Sequence, residues 1–307
     1  MAIQDTPLRY ASRLCAPATY YDLIEPVGGT DRPPLVLIHG GAHTGACYLG
    51  TPDGRPGWAQ VLAQHGYRVI VPDWPGTGRS GYVDHNLLDN NRVCDDLGRL
   101  IASLGRKAIV LTHSISGGFG WQILEQHGAH IEKLVAVAPG EPGNIQPVAQ
   151  ILARDGDIVT VRRRTGSSEF TVNLREPMAP SRELVEHKLI GTGTRFPRAF
   201  AAQYGASLVA IPPRMIYQRL NVEGSQHKVA DFTNFRGKRV MVLVGTHDLD
   251  HPVDVDRPIA EWLNSVGARA DFVYLGDRGI HGNGHMMMLE SNSDELAGLI
   301  ADWNEAD

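Results

Sequence analysis

Cysteine is scarce. Cys15, Cys47 and Cys94 are the three cysteines in 307 residues, odd in number and far apart. That excludes a disulfide framework or a zinc ribbon and fits structural thiols kept reduced, with Cys47 close enough to a glycine-rich loop to line a pocket. A basic excess is missing as well. Against 34 acidic residues stand 29 Lys and Arg, a formal charge of −5, so nothing is left over to neutralise phosphates and nucleic acid is not an expected partner. No apolar run approaches the roughly 20 residues of a membrane span, so no membrane partner is expected. The stretch Met1 to Arg9 lacks the apolar core of a signal peptide. The expectation is a soluble, cytoplasmic protein. Repeats and low-complexity segments are absent too. What remains, 42% hydrophobic and 21% charged residues, is the composition of an ordinary globular core.

Apolar runs alternate with amphipathic stretches. Strands are expected at Leu35–Ile38, Tyr67–Val71, Ala108–Leu111, Leu134–Val137, Arg239–Val244 and Asp271–Leu275. Helices are expected at Trp58–His65, Asn91–Leu104, Ile115–Gly128, Ile259–Val266 and Glu290–Trp303. In the second helix Val93, Leu97, Leu100, Ile101 and Leu104 recur at spacings of three and four. This alternation predicts βαβ units around a mainly parallel sheet. The rhythm breaks between Pro139 and Lys238, where buried strands are not evident. A short polar β segment is expected at Asp155–Arg164, and helix from Phe196 to Leu220 interrupted at Pro212-Pro213. An insertion of that length between two sheet strands reads as a cap. The organisation expected is a core of residues 1–138 and 239–307 with a cap at 139–238.

Three segments carry chemistry. Ala108-Ile-Val-Leu-Thr-His-Ser-Ile-Ser-Gly-Gly118 runs strand, sharp turn, helix. It has the shape of a nucleophile elbow, G-x-S-x-G, with Thr112 and Ser116 in the two glycine places. Ser114 is thereby a nucleophile candidate, and the Ile115 N–H, at a helix N-terminus, a donor to a developing oxyanion. His39-Gly-Gly-Ala42 follows a strand directly and can turn backbone N–H groups into a cavity, Gly41 first and Ala42 second. Gly279-Ile-His-Gly-Asn-Gly-His-Met-Met-Met288 lies between the last strand and the last helix. There His285, directly before the helical run, is preferred to His281 as the base that must come within ~3 Å of the serine hydroxyl.

These segments resemble the α/β-hydrolase superfamily, and Val71-Pro-Asp-Trp-Pro-Gly-Thr-Gly-Arg-Ser80 looks like its D-x-P-G-x-G-x-S loop. A closer resemblance is to bacterial and fungal esterase-like hydrolases. Thr51-Pro-Asp-Gly-Arg-Pro-Gly-Trp58 matches their T-P-D-G-R-x-G-W segment, His113–Gly117 their H-S-x-S-G elbow and His281–Met288 their H-G-N-x-H-M-M-M loop. The resemblance implies an α/β-hydrolase fold: a mainly parallel eight-stranded sheet flanked by helices, with the cap inserted after the sixth strand. Bacterial esterases of this group carry a cysteine after H-G, where Gly41 stands here. The group tends to place its triad acid as a Glu straight after the sixth strand. Ala138 stands there, followed by Pro139-Gly-Glu141. The superfamily's commoner acid site, an Asp after the seventh strand, is met by Val244-Gly-Thr-His-Asp248. Asp248 is therefore the expected acid, Glu141 the runner-up and Asp250 third.

The expected activity is a serine hydrolase acting on a carboxylic ester or lactone through an acyl-enzyme, with no cofactor. Amide, carbamate and carbon–carbon bond hydrolysis use the same residues, and a non-hydrolytic lyase or binding protein of the same fold is the other class. Metal catalysis by His247, Asp248, Asp250, His251, His281 and His285 is disfavoured, since no helical H-E-x-x-H pattern occurs. The expected partner is a small molecule, apolar and of medium size, with His43, Tyr204, Leu208 and Met215 as pocket residues and a homodimer kept in view. Phe200, Ile211 and Tyr217 share the apolar stripe. Met286, Met287 and Met288 read as core.

Overall fold

The computed structural model describes residues 6–15, 17–163 and 169–306. Its strands are β1 (Leu8–Cys15), β2 (Thr19–Pro26), β3 (Leu35–Ile38), β4 (Val69–Pro72), β5 (Ala108–His113), β6 (Ile131–Val137), β7 (Gln150–Asp155), β8 (Ile158–Arg162), β9 (Glu169–Asn173), β10 (Arg239–Val244) and β11 (Arg269–Tyr274). Its α-helices are α1 (Trp58–Gln64), α2 (Asn90–Ser103), α3 (Ser116–His127), α4 (Ala201–Ala206), α5 (Pro213–Arg219), α6 (Val253–Ser265) and α7 (Ser293–Glu305). Eight strands form one sheet in the order β1-β2-β4-β3-β5-β6-β10-β11. The β1/β2 and β2/β4 pairings are antiparallel and the rest parallel.

Successive side chains on a strand point to opposite faces, and here both faces are covered. Leu35 and Leu37 of β3 enter one core with α1 and α7. Val36 and Ile38 enter the other with α2, α3 and α6. Two buried faces require apolar residues at consecutive positions, which is why β3, β4, β5, β6 and β10 read as continuous hydrophobic runs. β1 and β2 leave no such trace in the sequence. β1 is an edge strand, exposed or half-buried along its length, and is held by register with β2. α6 begins at Val253, well before Ile259, and carries Pro258 inside it.

The insertion lies outside this sheet, between β6 and β10. It differs from expectation in holding an antiparallel three-stranded sheet, β7-β8-β9, where one short segment was expected. β7 is exposed throughout. Val159, Val161 and Val172 pack on one face with Ala149, Leu220 and Val222 as a small separate core. Too few apolar residues take part for the pattern to stand out in sequence. Arg164, the expected end of the segment, lies outside the described residues. The stretch expected as helix from Phe196 contains α4 and α5, with Ile211 between them bridged to Met178. Among the described residues no helix is long and apolar enough to cross a membrane, and none of the three cysteines forms a disulfide.

Candidate active site

The turn between β5 and α3 holds Ser114 at φ 58°, a left-handed conformation that a non-glycine residue adopts at a cost. Backbone bonds fix it on both sides. Its N–H donates to the Val137 carbonyl at 3.0 Å, and its carbonyl accepts from Gly140 N at 2.7 Å and Gly117 N at 2.9 Å. Ser116, in a place the elbow pattern gives to glycine, is used rather than merely tolerated. Its Oγ accepts from His113 N at 2.8 Å and lies 3.1 Å from the Ile38 carbonyl, tying the elbow to β3. Thr112, in the other glycine place, is accommodated because Gly120 is small: a Cβ there would sit 3.1 Å from the Thr112 methyl. Gly117 has no alternative, since a Cβ would come within 2.5 Å of Pro139.

His285 reaches this serine. Its Nε2 lies 3.0 Å from Ser114 Oγ and its Nδ1 2.7 Å from Asp248 Oδ2. His285 and Asp248 are buried, whereas Ser114 keeps some accessible surface. Burial alone would raise the Asp248 pKa, but His285 and His251 beside it hold it below the ordinary carboxylate value. Glu141 does not take this place: its carboxylate faces Arg163 at 3.6 Å. Asp250 pairs with Lys188 at 2.7 Å, and its N–H supports Asp248 Oδ1 at 3.1 Å. His281 is exposed and offers only its carbonyl, to Arg195 Nε at 3.0 Å.

The glycine-rich loop faces the elbow. A Cβ on Gly40 would sit 3.1 Å from that of Ser114, and one on Gly41 3.4 Å from the Ile115 side chain. Among the described residues, the N–H groups of Gly41, Ala42 and Ile115 donate to no protein acceptor. Ala42 is held at φ 64°, and its carbonyl accepts from Val209 N of the insertion at 3.0 Å. His43 links the two parts again, through Tyr204 Oη at 2.9 Å and the Gly41 carbonyl at 2.7 Å. Burial lowers its pKa to about 3, so the ring is neutral. Tyr204 and Met215 are fully packed, Met215 among the core residues of one sheet face. Leu208 is half-buried. Cys47 is buried, and burial pushes its thiol pKa far up.

Several participants are not legible in sequence. His113 Nε2 donates to the His285 carbonyl at 3.0 Å, and burial drives its ring well below the ordinary pKa. His251 stacks on His285 with ring centroids 5.3 Å apart and is itself held by Asp256 at 3.0 Å. Its pKa would fall on burial, but Asp256 and Asp248 raise it. Glu290, buried behind the histidine loop, accepts from Gly284 N at 2.7 Å and Asn283 Nδ2 at 2.6 Å. The Thr51–Trp58 segment has a visible use. Arg55 donates to the carbonyls of Glu290 at 2.9 Å and Ser291 at 3.3 Å, and Trp58 Nε1 to that of Ser293 at 2.7 Å. It braces the downstream end of the loop that carries His285.

A divalent ion could be offered Asp248, His251 and His285, whose donor atoms lie within 4.8 Å of one another. Most of these donor atoms are already engaged, however: His251 Nδ1 by Asp256, and both His285 nitrogens by Asp248 and Ser114. The donor set fits a hydrogen-bonded relay better than a coordination sphere.

Residues 35–299 match a model of the alpha/beta hydrolase family. The chain is 25% identical to a protein described as a probable secreted lipase, phiG, from Fungal sp. (strain ATCC 74256), over 92% of this chain and 85% of that one. It is also similar in fold to a serine hydrolase involved in carbazole degradation, the CarC enzyme (TM-score 0.60, 15% identity, 96% and 98% of the two chains). The methylesterase MES16 from Arabidopsis is likewise similar (TM-score 0.60, 15% identity, 89% and 98%).

Proposed function

The chain belongs to the alpha/beta hydrolase family, and we propose that within it the protein is a serine hydrolase of carboxylic esters or lactones working through Ser114, His285 and Asp248. It is esterase- and lipase-like, in keeping with the probable secreted lipase among its relatives and the bacterial esterase among its fold neighbours. One observation carries the finer reading: a hydroxyl on a left-handed turn, an imidazole 3.0 Å away and a carboxylate 2.7 Å behind that imidazole.

In this reading His285 Nε2 takes the Ser114 proton as Oγ attacks the carbonyl carbon. The Gly41 and Ile115 N–H groups, with Ala42 alongside, receive the oxyanion where water cannot compete for them. Asp248 fixes the Nδ1–H tautomer of His285 and stabilises the imidazolium. The proton then passes to the leaving alcohol, and water repeats the sequence on the acyl-enzyme. Residues 139–238 act as a cap, joined to the oxyanion loop by the Val209–Ala42 and Tyr204–His43 bonds. The substrate is a small molecule of medium size with an apolar body, and catalysis needs no metal.

The test is labelling with a fluorophosphonate followed by p-nitrophenyl acetate turnover. Modification of Ser114, with turnover unaffected by EDTA, is the expected result. Absence of both label and turnover removes the hydrolase reading. Turnover that EDTA abolishes returns the Asp248, His251 and His285 cluster to a metal role.

A further inference from the structure

A guanidinium with no hydrogen-bond partner for its buried Nη1 lies close to the Ser114 turn. Three carboxylates on this side of the site have a basic partner: Asp250 with Lys188 at 2.7 Å, Asp256 with His251 at 3.0 Å and Glu141 with Arg163 at 3.6 Å. Arg219, the last residue of α5, has none. Among the described residues its guanidinium makes no ion pair, and its Nη1 is buried without a hydrogen-bond partner. Burial and the neighbouring Arg163 lower its pKa to about 10, which leaves it charged at neutral pH.

Its position is set by Gly140. A Cβ at Gly140 would sit 3.1 Å from Arg219 Nε and 3.4 Å from the Ser114 carbonyl, so a space no larger than a methyl group separates the arginine from the nucleophile's turn. Pro139, Gly140 and Glu141 are buried, while Ser114 and Arg219, flanking them, keep accessible surface. The Arg163 side chain is 10% exposed and reaches inward from the end of β8. Two guanidinium groups thus stand close to one carboxylate, Glu141, which is too far from Arg219 to pair with it.

Buried donors without acceptors are costly, and a guanidinium fork matches a carboxylate two bonds at a time. We propose that Arg219, with Arg163 beside it, forms a carboxylate-binding subsite next to Ser114, and that the preferred substrates are esters carrying a free carboxylate. The inference rests on the serine hydrolase reading and names the substrate class within it. The substrate carboxylate supplies the acceptor that Arg219 lacks.

The experiment compares kcat/KM for two pairs of esters on the full chain. p-Nitrophenyl hemiglutarate against p-nitrophenyl butyrate places the carboxylate on the acyl side, and 4-carboxyphenyl butyrate against phenyl butyrate places it on the leaving group. In at least one pair the carboxylate ester should lead by roughly 10- to 100-fold, the range expected of hydrogen bonds to a charged group. Arg219→Met should erase that ratio and Arg219→Lys retain part of it. Should Arg219→Met fail to fold, inhibition of wild-type butyrate hydrolysis by glutarate, and not by glutaramide, replaces it. Neutral esters preferred in both pairs, or a ratio untouched by Arg219→Met, would overturn the subsite. Failure of all four esters together with absence of Ser114 labelling would instead defeat the hydrolase reading.

Discussion

Ser114, Ala42 and Ala138 share an uncomfortable backbone: φ 58°, 64° and 43°. A left-handed conformation costs an L-residue about 1–2 kcal/mol, and these three lie at the ends of the strands that border the site. At Ser114 the cost is tied to exposing Oγ to His285. Ser114→Ala is expected to lower kcat by roughly 10⁴- to 10⁶-fold and Asp248→Asn by roughly 10⁴-fold, the scale of triad losses, with circular dichroism unchanged and ester kinetics as the measurement. At Ala42 the strain can be relieved. Ala42→Gly should stabilise the fold by up to about 1 kcal/mol, seen as a small rise in Tm, while slackening the loop that presents the Gly41 N–H and lowering kcat. A fall in Tm would show that Ala42 is held at no cost.

Elements decide how these residues meet. α3 is pressed against the 139–140 turn because Gly117 lacks a side chain, and α7 is reached through the Arg55 fork. Arg55→Ala would leave the Glu290 and Ser291 carbonyls without that donor. The expected loss is about 1–2 kcal/mol in urea unfolding, with kcat falling more than KM changes, since the loop it braces carries His285. One of the links between the insertion and the glycine-rich loop is a buried side-chain pair, Tyr204 and His43. Tyr204→Phe removes the hydroxyl and leaves His43 Nε2 unpaired, at a cost of about 1–3 kcal/mol, and should weaken turnover through the Gly41 carbonyl that His43 holds from its other nitrogen. Met215, by contrast, has no surface left to offer. Met215→Ala should act as a core truncation of about 2–5 kcal/mol and depress all substrates alike.

At the scale of the whole molecule, buried titratable groups set the pH dependence. Burial raises Glu290 from 4.5 to about 7, against the pull of Gly284 N and Asn283 Nδ2. Its folded-state pKa lies above the unfolded one, so its contribution to stability is complete below pH 4.5 and is lost as pH rises through 7. Glu290→Gln cannot titrate and should flatten the dependence of Tm on pH across that window; an unchanged slope would place the titration elsewhere. His251 acts in the same direction, its raised value placing its loss at higher pH than an ordinary histidine. Asp248 acts oppositely, its contribution vanishing as pH falls through its lowered value.

Local chemistry already determined a good deal. Strands buried on both faces must be apolar at consecutive positions, so β3 to β6 and β10 could be read directly. The turn at Ser114, the paired glycines before Ala42 and the run at Gly279–Met288 each require particular residue types within a few positions. Tertiary structure decided what depends on distant chain segments meeting. It brought Asp248 and not Glu141 to His285, stacked His251 behind that ring and left Arg219 half-buried with its Nη1 lacking an acceptor. It also placed β1, β2 and the small sheet of the insertion. Those strands cover one face or an edge, so their composition carries little signal, and an unpaired charge is recognisable only when the groups around it are in place.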